Sequence, residues 1–436
     1  MIGGASCPSV MNTSAGGASS GDSVRKLNCT ALAIWLLVVW PRRVAHPPLK
    51  LAKGTLTIEH ARIYTSPTEP AIQDGTVLVV DGRIAAVGPN VVVPQGAEVL
   101  PCDHCVVTAG FWNAHVHFTE PKWSLAEWKP ARELDAQLAD MLTSHGFTTV
   151  VDTGSIPMNT LPIRRRIESG ELAGPLVYTA GPPLYPPHGI PYYVRDNTPR
   201  LFQLLMLQPE TAKEAAADVE RNLKDGSDIT KLFTGSWIAH GKVLPMPLDI
   251  AKAAVERTHL NGRLVFSHPS NLAGTQVAIQ AGVDVLAHAP DSTEGIDRAL
   301  LATMVHQNMA MIPTLKMFGT TVTTNPAYLD PIYAEVRQFH ELGGQLIFGT
   351  DVGYMTDYTT EGEFAALEKC GLSAMDILAM LTTNPASRFG VSGVKGVVKP
   401  GKFADLTVLD ADPAQDPMAF SKVRMTIRSG RVIYQR

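Results

Sequence analysis

Residues 106–118 read VVTAGFWNAHVHF. β-Branched and aromatic residues crowd the first half, which predicts a strand over 106–112. His115 and His117 follow it, one valine apart. In extended backbone, residues two apart point to the same face, so the two imidazoles converge on one point. A bare H-x-H pair is most often two polar residues on a solvated face. Neutral imidazole is also the commonest protein metal ligand, and the rest of the chain decides between the two readings.

Outward from this stretch, the texture repeats. Apolar strands are expected at FTTVVD (147–152), PLVYTA (175–180), DITKLF (228–233), RLVFS (263–267), DVLA (284–287), MAMIP (309–313) and QLIFGT (345–350). Helical segments lie between them. LDAQLADMLTSHG, TAKEAAADVERNLKDG, DIAKAAVERTHLNG and LAGTQVAIQAG each end at a glycine, a common helix stop. Strands and helical crossovers alternating over about 250 residues predict an α/β fold, a (β/α)₈ TIM barrel. A doubly wound open sheet is the alternative, and the lack of a glycine-rich phosphate fingerprint after the first strand counts against it.

The two ends share a different texture. Residues 51–107 hold short β-rich runs, with an Asp81-Gly82 hairpin signal between GTVLVV and RIAAVG. Residues 397–436 repeat the pattern in ADLTVLD and VRMTIRSGRVIYQ, with a turn at Ser429-Gly430. The first and last elements of a closed barrel are neighbours. Segments 50–108 and 397–436 are therefore expected to form one small β-sandwich domain beside a barrel domain at 109–396.

Composition narrows the function classes. A chain of 436 residues has room for one large domain and a smaller one. Hydrophobic residues at 45% and charged ones at 18% are ordinary for a globular protein. A net charge of −4 sets the chain apart from general nucleic-acid binders, which are basic. No apolar run reaches the roughly 20 residues of a membrane-spanning helix. Residues 1–24 are rich in Gly, Ser and Ala and are expected to be disordered. Arg25 and Lys26 then precede the apolar stretch ALAIWLLVVW (31–40), which resembles a secretory signal. Arg42 and Arg43 follow it directly and no A-x-A cleavage site is evident, so export and a cytoplasmic location both stay open. Residues 1–49 are set aside as a leader. Five scattered cysteines make no disulfide framework, and the lone C-x-x-C of Cys102 and Cys105 reads as structural rather than redox-active or metal-binding.

Active sites of such barrels lie at the carboxyl ends of the strands. Strand one leads into His115 and His117, and strand four carries Lys231. Strand five ends in His268, strand six in His288 and strand eight in Asp351. The chain has 13 histidines, and four of them fall at these positions. Four imidazoles and a carboxylate suit a borderline divalent ion such as Zn²⁺, with Mn²⁺ or Co²⁺ as alternatives. An ammonium among metal ligands is anomalous. A desolvated lysine, however, turns neutral readily and can then add carbon dioxide to become an anionic carbamate with two oxygens.

This ordered set resembles the amidohydrolase superfamily. KGVVKPGKFADLTVLDADP is similar to that family's C-terminal sandwich strands, and LTTNPASRFG to the helix before them. The lysine on strand four resembles the binuclear, carboxylated-lysine branch, in an imidazolonepropionase- and prolidase-like group. The resemblance covers the chain after residue 50. It implies two metal ions: His115, His117 and Asp351 on the more buried one, His268 and His288 on the other, and carboxylated Lys231 bridging them. It further implies a hydroxide shared by the ions that attacks an amide carbonyl, with Asp351 moving the proton to the leaving amine. The implied substrate is a small molecule: an N-acyl amino acid, a dipeptide or a cyclic amide. Lactone or phosphotriester hydrolysis and deamination share the scaffold, as would a non-catalytic relative. Deaminases of the family carry a glutamate three residues after the strand-five histidine, where this chain has Asn271. Pro269-Ser270-Asn271 and Ala287-His288-Ala289 depart from the group's usual residues and bear on the substrate. Contacts to it are expected from His188, Tyr185 and Tyr193 in the loop GPPLYPPHGIPYY, from Trp237 after strand four and from Tyr354 after strand eight. A homo-oligomer is compatible with all of this.

Overall fold

A computed structural model describes residues 51–322, 325 and 327–436. The expected leader and its apolar segment 31–40 lie outside the described residues. The chain opens with strands β1 (Thr55–Ile63), β2 (Ile72–Val80), β3 (Arg83–Gly88), β4 (Glu98–Leu100) and β5 (Val106–Ala109). Ten more follow: β6 (Phe111–Val116), β7 (Phe147–Asp152), β8 (Leu176–Thr179), β9 (Ile229–Phe233), β10 (Gly235–Ala239), β11 (Lys242–Pro245), β12 (Leu264–His268), β13 (Val285–Ala287), β14 (Ala310–Ile312) and β15 (Gln345–Leu346). The C-terminus supplies β16 (Leu406–Leu409), β17 (Val423–Arg428) and β18 (Arg431–Gln435).

The two ends of the chain meet in one eight-stranded sheet, ordered β18-β17-β16-β5-β1-β2-β3 with β4 also on β1. Where two facing sheets were expected, the hydrogen bonding is continuous. The reason is β5, which pairs with β1 in parallel and with β16 antiparallel. Ile58, Ile63, Val77, Val107, Leu406 and Ile427 form its buried core, and burying each such side chain contributes about 1.5–3 kcal/mol. Asp81-Gly82 and Ser429-Gly430 are two-residue hairpin turns with positive φ at all four residues. The turns pack on each other, and a Cβ on Gly82 would lie 2.6 Å from Ser429 O. Cys102 and Cys105 are joined by a disulfide just before β5.

The middle of the chain is α/β. β15-β14-β13-β12-β9 and β6-β7-β8 form two all-parallel sheets, with a helix or loop crossing between successive strands. Hydrogen bonds reach from each sheet to the other at both margins. Ala114 N donates to Phe348 O (2.8 Å) and His117 N to Val352 O (2.8 Å) on one side. Leu184 N donates to Lys231 O (2.9 Å) on the other. A buried cluster takes Trp112, Ala114, Val151, Tyr178, Ile229, Phe266, Ala287, Ile312 and Ile347, so every parallel strand or its direct continuation contributes. Period-two side-chain alternation explains this: alternate residues face that cluster and their neighbours face the helices. Helix caps are local. Asn271 Oδ1 accepts from Gly274 N (3.1 Å) at the start of Leu272–Ala281, and Gly282 ends that helix in the left-handed region.

One expectation needs correction. The strand anticipated over 106–112 is two strands, β5 and β6, belonging to different sheets. Gly110 forms the joint: its N–H donates to Asp405 O (2.8 Å), and a Cβ there would press on the Thr148 side chain. Both halves are apolar and β-branched, so no pattern marks the break. No helix among the described residues is long and apolar enough to cross a membrane.

Candidate metal centre

His115 lies within β6 and His117 one residue beyond it; Asp351 lies on the segment that continues β15. Backbone hydrogen bonds tie the segments, with Asp351 N donating to His115 O at 2.9 Å. Asn113, fully buried, reinforces the tie: its Oδ1 accepts from His115 N and Thr350 N, and its Nδ2 donates to Thr350 Oγ1 (2.7 Å). Asp351 Oδ1 consequently sits 2.9 Å from His117 Nε2 and 3.3 Å from His115 Nε2. The three side chains can offer ligand atoms all within 4.8 Å of one another.

The other predicted residues cluster around this trio. The ring centroids of His115 and His288 are 4.4 Å apart, and those of His288 and His268 are 4.6 Å apart. Phe233 stacks on His268 at 4.8 Å, and Lys231 Nζ lies 5.6 Å from the Phe233 ring. Lys231, on β9, is 2% exposed. Burial pushes its amine down to about 7, and the Asp351 carboxylate only partly opposes this. Burial first, then the charge of Lys231 and, for His115 and His288, that of neighbouring imidazoles, holds His115, His268 and His288 well below the ordinary imidazole range, so these rings are neutral. Burial works against charge on His117 too, but the carboxylates of Asp351 and Asp152 and the Gly154 carbonyl outweigh it and raise that ring.

The ring orientations fit a metal. His117 Nδ1 donates to Gly154 O (2.8 Å), so Nε2 is the nitrogen turned to Asp351 and would be the one to ligate a metal. His288 Nδ1 is 2.7 Å from Thr314 Oγ1, whose own proton goes to Pro313 O (2.8 Å), so the imidazole donates there and its Nε2 is also free. Neither ring nitrogen of His115 has a hydrogen-bond partner, nor does Asp351 Oδ1, though all three atoms are buried. Buried polar atoms without partners are costly, and a shared cation removes that cost. The backbone is strained at the same place: Ser270, His288, Thr314 and Asp351 all have φ between +51° and +126°.

The sequence also hides supporting residues. Asp152, at the end of β7, accepts from Ser155 Oγ and Thr160 Oγ1 (both 2.6 Å), Thr179 Oγ1 and Gly154 N, and so fixes the turn that holds His117. Glu363 accepts from Leu315 N and Lys316 N, bracing the turn at Thr314 beneath His288; its carboxyl is pushed up to about 7 by burial. A polar residue ending a strand was a usable signal for Asp152. None marked Glu363, which comes from a distant helix.

The expected substrate contacts divide. Tyr185 is buried against Phe233 (4.7 Å between centroids), and its phenol is raised by burial. Tyr193 and Tyr354 pack edge to face at 5.8 Å, and the charge of Asp351 acts on both. Trp237 donates from Nε1 to Asp291 Oδ1 (3.2 Å). His188 stands apart: its side chain is 88% exposed and faces Glu210 at 3.9 Å, because its loop turns outward at φ +56°.

The model of the amidohydrolase family matches residues 106–433. The chain belongs to the amidohydrolase family. Among its relatives, an enamidase of Eubacterium barkeri is 25% identical over 359 residues, covering 78% of this chain and 82% of that one. An imidazolonepropionase of Thermoplasma acidophilum is 27% identical over 187 residues, 39% of this chain and 46% of that one. A crystal structure of a Xaa-Pro dipeptidase with methionine in its active site superposes with a TM-score of 0.74 at 21% identity, covering 88% of this chain and all of that one. This family member is a metal-binding hydrolase of carbon–nitrogen bonds in a small-molecule substrate.

Proposed function

We propose that the eight parallel segments close into one (β/α)₈ barrel whose mouth holds two divalent ions, zinc being the best match to the donors, and hydrolyses a small N-acyl amino acid, dipeptide or cyclic amide. The hydrogen bonds crossing between the two parallel sheets at both margins support the closure. His115, His117 and Asp351 would hold one ion and His268 and His288 the other. Lys231 would bridge them as a carbamate: its neutral amine adds to carbon dioxide, a C–N bond forms and one proton leaves. Such a metal pair supplies a Lewis acid for the scissile carbonyl and a water acidic enough to attack it near neutral pH.

The chain's own residues do the rest. Asp351, within reach of His115 and His117, can accept the proton of the attacking water and return it to the departing amine. The hydrogen bonds of His117 to Gly154 and of His288 to Thr314 keep both rings in the ligating tautomer. Phe233 and Tyr185 keep water away from Lys231 and His268. Asn271, where a deaminase would carry its glutamate, caps a helix instead.

The observation that carries this reading is the buried cluster of His115, neither of whose ring nitrogens has a hydrogen-bond partner, with His117 and Asp351. Metal analysis of the purified protein, and a reconstituted activity screen over acyl amino acids, dipeptides, cyclic amides and lactones, test it. About two ions per chain and turnover of an amide are expected. A protein that takes up no metal, or that loses none with His115→Ala, would refute it.

A further inference from the structure

The loops after the parallel strands bring a second set of side chains to the same end of the molecule as the metal centre. Asp291 lies three residues beyond His288. Its Oδ1 accepts from Trp237 Nε1 (3.2 Å), on the segment after β9, and its Oδ2 from Tyr328 Oη (3.1 Å), on the segment after β14. Tyr193, after β8, feels the charges of both Asp291 and Asp351, and its ring packs edge to face on Tyr354 with centroids 5.8 Å apart. Tyr354, after β15, packs against Tyr193 and is 45% exposed, which leaves this corner open to solvent.

The electrostatics of the corner are one-sided. Asp291 makes no ion pair among the described residues; burial lifts its carboxyl to about 6, and only uncharged donors oppose this, the side chains of Trp237 and Tyr328 and its own backbone N–H. It is therefore ionised at neutral pH. Glu335, on the helix Asp330–Glu341, is 5% exposed, and neither of its carboxyl oxygens has a hydrogen-bond partner. The one charge acting on it is that of Asp291, which adds to burial in keeping it protonated. Two carboxyl groups share one neighbourhood with an indole and phenols, and no described base neutralises them. A carboxylate held at both oxygens and set among aromatic rings suits an organic cation, which gains charge-assisted hydrogen bonds and cation–π contact together.

We propose that Asp291, with Trp237, Tyr328, Tyr193 and Tyr354 around it, is the specificity subsite for a positively charged side chain, so that the preferred substrate is an amide built on a basic amino acid. The inference rests on the hydrolase reading for the reaction, and adds which amides are chosen. Asp291 acts on the substrate's charge and not on the scissile bond.

Calorimetric binding of free lysine and free norleucine, which hold no amide bond to cleave, to the metal-loaded full chain tests the subsite apart from catalysis. The two probes differ in one ammonium group. We expect the wild type to bind the lysine probe about tenfold or more tightly than the norleucine probe, the value of one charge-assisted contact. Asp291→Asn should bring that ratio close to one, and Tyr328→Phe, which frees Oδ2 without removing the charge, should lower it severalfold. Equal binding of both probes by the wild type, or a preference that survives Asp291→Asn, overturns the proposal. Preferential binding without hydrolysis of any lysine amide would instead count against the hydrolytic reading and leave the subsite standing. Should Asp291→Asn fail to fold, the wild-type ratio and Tyr328→Phe still decide.

Discussion

Lys231 is the residue on which chemistry and stability collide. It is buried among neutral imidazoles, and its amine falls to about 7 where the ordinary value is 10.5. Between those values the unfolded chain holds a proton that the folded chain has released. In metal-stripped protein, stability should therefore rise as pH climbs from about 7 toward about 10, with the full burial penalty present below 7. Lys231→Met, which has no proton to lose, should flatten that rise in urea unfolding measured across the range. A wild type whose stability is flat there would show that the amine is not buried as described. Lys231→Ala in the metal-loaded enzyme should lose on the order of 10²–10⁴-fold in kcat, and short carboxylates such as acetate should restore part of it. Full activity in that variant would remove the lysine from the bridge. The residues that bear chemistry were the most legible part of the sequence, because imidazoles directly after apolar strands have few other reasons to be there. Asp291 was not legible: a single aspartate in a loop looks like any turn residue, and only Trp237 and Tyr328 reaching it from other loops set it apart.

Strands and turns carry these residues, and small side chains let them approach. Gly353, at φ +95°, follows Asp351 so closely on His117 that an added Cβ would collide with the His117 carbonyl. Gly349 lies against His115, whose Cβ would be 2.8 Å from a Cβ added there. Gly353→Ala should therefore cost several kcal/mol, from left-handed strain of about 1–2 kcal/mol plus forced displacement of the β6 end. Denaturant unfolding measures the loss, and metal titration should show weakened uptake. Unchanged uptake would mean that the two segments can part without disturbing the trio. At this scale the sequence was half readable. Strand positions followed from apolar runs, and both two-residue hairpins from their Asp-Gly and Ser-Gly pairs. The break at Gly110 did not, since hydrophobic pattern reports burial and is silent about which sheet a strand joins.

For the whole molecule, the strongest coupling lies where the C-terminal strands meet the rest. Asp405 makes a buried ion pair with Lys395, accepts from Ser429 N (2.7 Å), and offers its backbone carbonyl to Gly110 N. Asp405→Asn should cost about 3–5 kcal/mol, because it leaves the Lys395 charge buried without its partner. It should also lower metal uptake, since Gly110 leads directly into the strand of His115. A melting temperature within a degree of wild type would disprove the coupling. Pairing of the distant ends could be anticipated from their shared texture. The merging of both ends into one sheet could not, because it depends on β5 having two partners at once.

That merger bears on biosynthesis. Every proposed metal ligand has been translated by residue 351, yet β16, the antiparallel partner of β5, begins at Leu406. A nascent chain thus carries its whole donor set before the strand that anchors their scaffold has been translated, and a message truncated near its end would yield a polypeptide rich in exposed imidazoles and poor in order.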